Sequence, residues 1–165
     1  MESLKKCVSF VVFCLLQVLI LNQIHLFGCI TPLFYVYFIM SFERSCPRWV
    51  LLLWSFFMGV VLDTFTNTPG VTAASLTMLG FLQPVLIEPF APRDSSEDFV
   101  PTIGSLGSIR YFYYATIMVL IYHMLFYMLE MFSFFNILYW LESVIGSTVL
   151  TLILILLVEN VRRDK

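Results

Sequence analysis

At residue 63 an acid stands inside an apolar run, and Thr68-Pro69-Gly70 follows a few residues later. The run opens at Trp49. A helix rising about 1.5 Å per residue reaches Asp63 after about 21 Å, short of the roughly 30 Å of a bilayer core. A carboxylate at that depth is costly, so it must face protein or a wet cavity. Pro69 presets φ for a turn, Gly70 supplies a position with positive φ, and a new apolar run begins at Val71. Residues 59–70 thus predict a tight hairpin of two membrane helices with a polar tip, with the other spans arranged around it.

Only 12% of the 165 residues are charged and 60% are apolar, whereas soluble domains average about 25% charged. The chain reads as a membrane protein. A net charge of −2 leaves no basic surface for nucleic acid or for polybasic docking to lipid. No polar segment is long enough to bury a core of its own, so any chemistry belongs within the membrane or at its edge. The four cysteines, Cys7, Cys14, Cys29 and Cys46, have no paired spacing and read as packing residues.

The apolar runs predict a single all-α integral membrane domain over 1–165. About six transmembrane helices, near 8–27, 28–42, 49–62, 71–87, 110–130 and 136–158, would form one compact bundle. Gln17, Asn22, Gln23 and His25 interrupt the first run. A cleavable signal is not the reading, because Phe27 is bulky where a small residue is needed and no soluble domain follows. The run 28–42 is short, so it crosses with less tilt than its neighbours or crosses only in part. In the loop 88–109, Asp94-Ser95-Ser96-Glu97 has capping-box character and predicts a short surface helix. Every Lys and Arg falls in 1–7, 43–48, 88–110 or 159–165. The positive-inside rule then places both termini in the cytoplasm.

That orientation puts Asp63, Asn67, Glu130, Asn136, Glu142 and His25 toward the outer half. Asp63 and Glu142 lie deeper than Glu130 and Asn136. A structural network and a partner-binding surface are the readings open to them, with proton relay a third. His123, alone at mid-span, predicts a helix–helix hydrogen bond. Lys5, Lys6, Arg162 and Arg163 read as topology anchors. The sequence contains no G-x-x-x-x-G-K-[ST], H-E-x-x-H or G-x-S-x-G, and no His/Cys cluster with metal spacing. Neither catalysis nor a cofactor is expected.

The pattern Phe57-Met58-Gly59-Val60-Val61-Leu62-Asp63-Thr64-Phe65, then Thr68-Pro69-Gly70 and Ala73-Ala74, resembles the rod shape-determining protein MreD family. Further stretches carry the likeness along the chain: Ile24-His25-Leu26-Phe27-Gly28 with Thr31-Pro32, Pro89-Phe90 with Pro92-Arg93-Asp94, Leu129-Glu130 with Phe132-Ser133-Phe134-Phe135-Asn136, and Gly146-Ser147-Thr148. The resemblance implies a compact helical fold similar to the substrate-binding components of energy-coupling-factor transporters. It implies a multi-pass protein of the bacterial inner membrane that scaffolds or regulates lateral wall synthesis, without a catalytic step. The implied partners are MreC, the actin-like MreB, the glycosyltransferase RodA and its transpeptidase. The structural or partner-binding candidates are Gly59, Asp63, Asn67, Pro69, Gly70 and Glu142, with Asp63 and Gly70 foremost. On this reading Asp63→Ala would leave the protein in the membrane and weaken assembly. The competing expectation is a substrate-binding subunit of a vitamin-type transporter, its pocket lined by the outer polar groups. An intramembrane enzyme using Asp63 and Glu142 would lack both a nucleophile and a metal site.

Overall fold

The computed structural model describes residues 2–21, 31–92, 99–131 and 137–163. Among them lie α1 (Glu2–Leu19), α2 (Val36–Met40), α3 (Arg48–Thr66), α4 (Val71–Ile87), α5 (Ile103–Leu106), α6 (Ser108–Met131) and α7 (Ile137–Arg163), and no strand. Three of these, α3, α6 and α7, are long and apolar enough to cross a membrane, which marks a membrane protein. The apolar part of α1 and all of α4 are shorter.

The hairpin is built by local backbone chemistry. Pro47, extended at φ −60°, precedes the first residue of α3. Asn67 ends α3 in the left-handed region at φ 57°, which asparagine tolerates better than most residues. Gly70 sits at φ 86° immediately before α4. No atom lies within 4 Å of the place a Cβ on Gly70 would take, so backbone strain alone opposes a side chain there. Gly70→Val is therefore expected to lower stability by about 2 kcal/mol, and Gly70→Asn to recover most of it. Thermal melts of the detergent-solubilised protein check this; equal melting of the Val variant and the parent would contradict the turn's role.

Above the turn, α3 and α4 share the most extensive packing of any helix pair among the described residues. A Cβ on Gly59 would overlap the Ala73 backbone, and one on Gly80 would overlap the Ser55 hydroxyl. Small residues at both crossings let the two backbones approach, as in membrane helix pairs generally.

Neighbouring contacts run α1–α3–α4–α6–α7, with little or no contact between α7 and α1. Into that side of the ring goes the segment 31–42, and here the expectation of a membrane helix over 28–42 needs correction. Residues 31–35 are irregular, α2 has only 5 residues, and Pro32–Met40 are all buried. The segment nevertheless runs from one end of the bundle to the other. Backbone N–H groups of Thr31 and Leu33 donate to the Ser147 and Thr151 hydroxyls of α7, at 3.2 and 3.1 Å. On the other flank Gln17 of α1 donates to the Pro32 carbonyl at 3.0 Å and accepts from Phe34 N–H at 3.1 Å. The registers match. Two extended residues advance about 6.6 Å, and four helical residues about 6 Å. Non-helical backbone survives at membrane depth only where protein satisfies it, and these three side chains do so here.

Element ends differ from expectation in smaller ways. Helix α1 begins before residue 8, and its regular part stops at Leu19. The loop 88–109 holds α5, capped by Thr102 and Ser105 in a reciprocal box. Helix α7 runs past 158 and carries Glu159 within it. The surface helix expected at Asp94–Glu97 lies outside the described residues, as do His25 and Asn136.

Polar ties gather at one end of the bundle. Lys6 pairs with Glu43 at 3.8 Å, Arg44 N–H donates to the Phe99 carbonyl at 2.9 Å, and Arg162 donates to the Tyr37 hydroxyl at 3.3 Å. Helix α3 starts beside this end and carries the hairpin tip to the opposite one.

Candidate functional site

Helix α4 begins with an unmet need. Its N-cap is Gly70, which has no side chain to satisfy the first orphan N–H groups. Asp63, one turn from the end of α3, meets it from the preceding helix. One carboxylate oxygen accepts from Thr72 N–H at 2.9 Å and the Thr68 hydroxyl at 3.1 Å. The other accepts from Gly70 N–H and Ala73 N–H, both at 3.0 Å. Four donors fill a carboxylate's four acceptor sites, and the negative charge faces the positive end of α4. Asp63 is 6% exposed. Its oxygens keep no free acceptor position for a partner, so Asp63→Ala, read from the sequence as staying in the membrane and weakening assembly, is expected from this geometry to fold poorly. The sequence did hold a signal for this. Gly70 leaves α4 without a Ser, Thr, Asp or Asn cap, and Asp63 is the nearest preceding acid.

The other candidates divide. Gly59 lies on the close crossing of α3 and α4, while Asn67, Pro69 and Gly70 form the exposed turn. Glu142 is exposed near the start of α7 and is not brought to Asp63. The paired-carboxylate arrangement considered for these two acids therefore has no geometry behind it. Cys7, Cys14 and Cys46 are free thiols.

Beside the hairpin tip opens a polar cleft of about 270 Å³. Its walls come from Gln17 of α1, the 31–35 segment, Thr68 and Thr72 of the hairpin, the last turns of α6 and the first turns of α7. The hydroxyls are held by the framework. Tyr127 Oη lies 2.7 Å from Ser147 Oγ and 3.3 Å from Thr31 Oγ1, and Tyr35 pairs with Tyr122 through their hydroxyls. His123 lies deeper, against the Val119 carbonyl at 2.8 Å and Thr151 Oγ1 of α7 at 3.4 Å. Among the described residues, Glu130 is the charged residue on the cleft wall, in the last turn of α6. It has no hydrogen-bond or ion-pair partner among the described residues.

A second buried acid lies in 159–165, a segment that the sequence marks by its basic residues. Glu159 is 2% exposed and accepts from the Tyr37 hydroxyl and from Ile103 N–H at 3.2 Å. It joins the central segment, the end of the long loop and α7 at the basic end of the bundle. Ser143, Ser147, Thr151, Ile155 and Glu159 repeat every fourth residue and are all buried. That helical spacing was the available sign that Glu159 faces inward.

No protein-family model, curated protein or solved structure matches this chain.

Proposed function

We propose that the protein is a non-enzymatic, multi-pass scaffold of the bacterial inner membrane that serves the cell-wall elongation complex and maintenance of rod shape. MreC is the partner first expected, with MreB, RodA and the elongation transpeptidase in the same assembly. The ordered MreD-like residue pattern motivates the reading. One structural observation supports it: the helices of the hairpin carrying that pattern bury Ser55, Asp63, Thr72 and Ser75 and expose an apolar face that includes Phe56, Phe57, Val60 and Phe81. Apolar grooves of about 520 and 560 Å³ lie on either side of α3, one shared with α4 at Phe56, Ala74 and Phe81, the other with α1 at Phe10, Phe57 and Val61. Within a bilayer such grooves take lipid chains or a partner's helix, and a small residue such as Ala74 lets a second backbone approach. Cytoplasmic termini and a bundle similar to energy-coupling-factor substrate-binding components belong to the same proposal. The clustering of Lys6, Arg44 and Arg162 at one end favours that orientation.

Identification of what co-purifies with the tagged protein from mild detergent tests the proposal. MreC is expected, accompanied by RodA and the transpeptidase. Asp63→Asn should lower the amount of folded protein and leave partner recovery per folded molecule unchanged. Recovery of an ATPase module with a tightly held vitamin-sized molecule would instead assign the fold to transport.

A further inference from the structure

We propose that the polar cleft at the hairpin end binds a small, hydroxylated solute bearing an ammonium group, with Glu130 as the counter-charge. Its volume, about 270 Å³, lies close to the lower end of small-molecule sites, roughly 300 Å³, and suits a molecule of hexose size. The walls are rich in hydroxyls, including Thr31, Tyr127, Tyr139 and Ser143. Each hydroxyl has one donor and two acceptor positions, and those of Thr31 and Ser143 each use one in a bond to the framework, so they can still take a ligand's O–H or N–H. Leu33 and Phe126 add apolar wall for the carbon skeleton.

Charge selects among polar solutes. Glu130 sits at the negative end of the α6 dipole, where an acid is disfavoured. Glu142 is exposed near the start of α7, at the same end of the bundle. The charge of Asp63 is already met by the α4 N–H groups. Among the described residues, compensating cations are remote. Lys6, Arg44 and Arg162 are tied into the other end, and Arg110 lies at the opposite end of α6 from Glu130, about 30 Å along the axis. An anionic solute meets uncompensated repulsion at this mouth, whereas an ammonium relieves it.

Three solutes of one shape make the test: glucosamine, glucose and glucuronate, titrated calorimetrically into the full chain in detergent. Glucosamine should bind about fivefold more tightly than glucose, a factor typical of a partly exposed ion pair, and glucuronate more weakly than either. Glu130→Gln should abolish the preference for glucosamine without changing the melting temperature, because the side chain is exposed and holds no partner among the described residues. Raised salt should shrink the preference in the parent protein. No binding of any of the three at millimolar concentration would overturn the proposal. So would equal binding of all three, or a preference that survives in Glu130→Gln.

Discussion

Replacing Asp63 by alanine is expected to remove about 4 kcal/mol of stability, enough to empty the membrane of most folded protein. The loss does not come from the acid's own surroundings. It comes from Gly70, Thr72 and Ala73, whose N–H groups would be left without acceptors in a hairpin tip partly shielded from water. Asp63→Asn separates this account from a role in partner contact. The amide nitrogen can replace the oxygen facing Thr68 and Thr72. The Thr68 hydroxyl can then turn to accept, and only Thr72 N–H is orphaned. About half the alanine penalty should result, roughly 2 kcal/mol. Denaturation of both variants in detergent, set against their abundance in the membrane, measures the difference. Asn and Ala variants that both melt with the parent would mean that α4 does not depend on this cap.

The second large effect is expected at Gly59. A methyl there would meet the Ala73 backbone, which has no rotamer to give, so α3 and α4 must separate along the crossing. Gly59→Ala should cost about 3 kcal/mol, at the upper end of overpacking penalties, and Gly59→Val more. Gly80→Ala is the control. The atom in its way is the hydroxyl of Ser55, with Ser55 Cβ 3.2 Å from the added carbon, so removal of that hydroxyl relieves most of the overlap. Gly80→Ala should therefore cost about 1 kcal/mol, and adding Ser55→Ala should recover part of it, a non-additivity that a double-mutant cycle reads directly. A tolerated Gly59→Ala would show that the two helices are not held at the observed distance.

Both predictions concern residues singled out in the sequence, yet their roles became clear in different ways. The turn was local. A left-handed position at Gly70, a capping asparagine and a proline between them dictate a reversal whatever surrounds them, and α4 occupies the run 71–87 as read. The acid at 63 was visible as an anomaly of depth, but its donors come from the next helix. A burial anomaly says that partners exist and not which ones they are. The cleft was less legible still. It joins Gln17, Thr31, Tyr127 and Ser143, residues far apart in the chain, and only the docking of α1, α6 and α7 around the hairpin brings them together.

The segment 31–42 marks the boundary most clearly. Its hydropathy is that of a membrane helix, and nothing in Pro32–Met40 announces that part of it is extended. Backbone groups inside a bilayer require partners, and helix formation supplies them within one segment. Here Gln17, Ser147 and Thr151 supply them from two other helices: the step from Ser147 to Thr151 on α7 matches the step from Thr31 to Leu33, and the single amide of Gln17 on α1 serves both Pro32 and Phe34. The amino-acid sequence determined by itself that the chain is helical and apolar enough for a membrane, that it reverses at 67–70, and that an acid near that reversal needs partners, since these follow from composition and local dihedral preference. Tertiary structure alone decided that an unwound segment occupies the core and which groups meet the acid at 159, since each depends on what a different element places opposite; the uncapped start of α4 and the four-residue spacing along α7 only pointed toward the roles of Asp63 and Glu159.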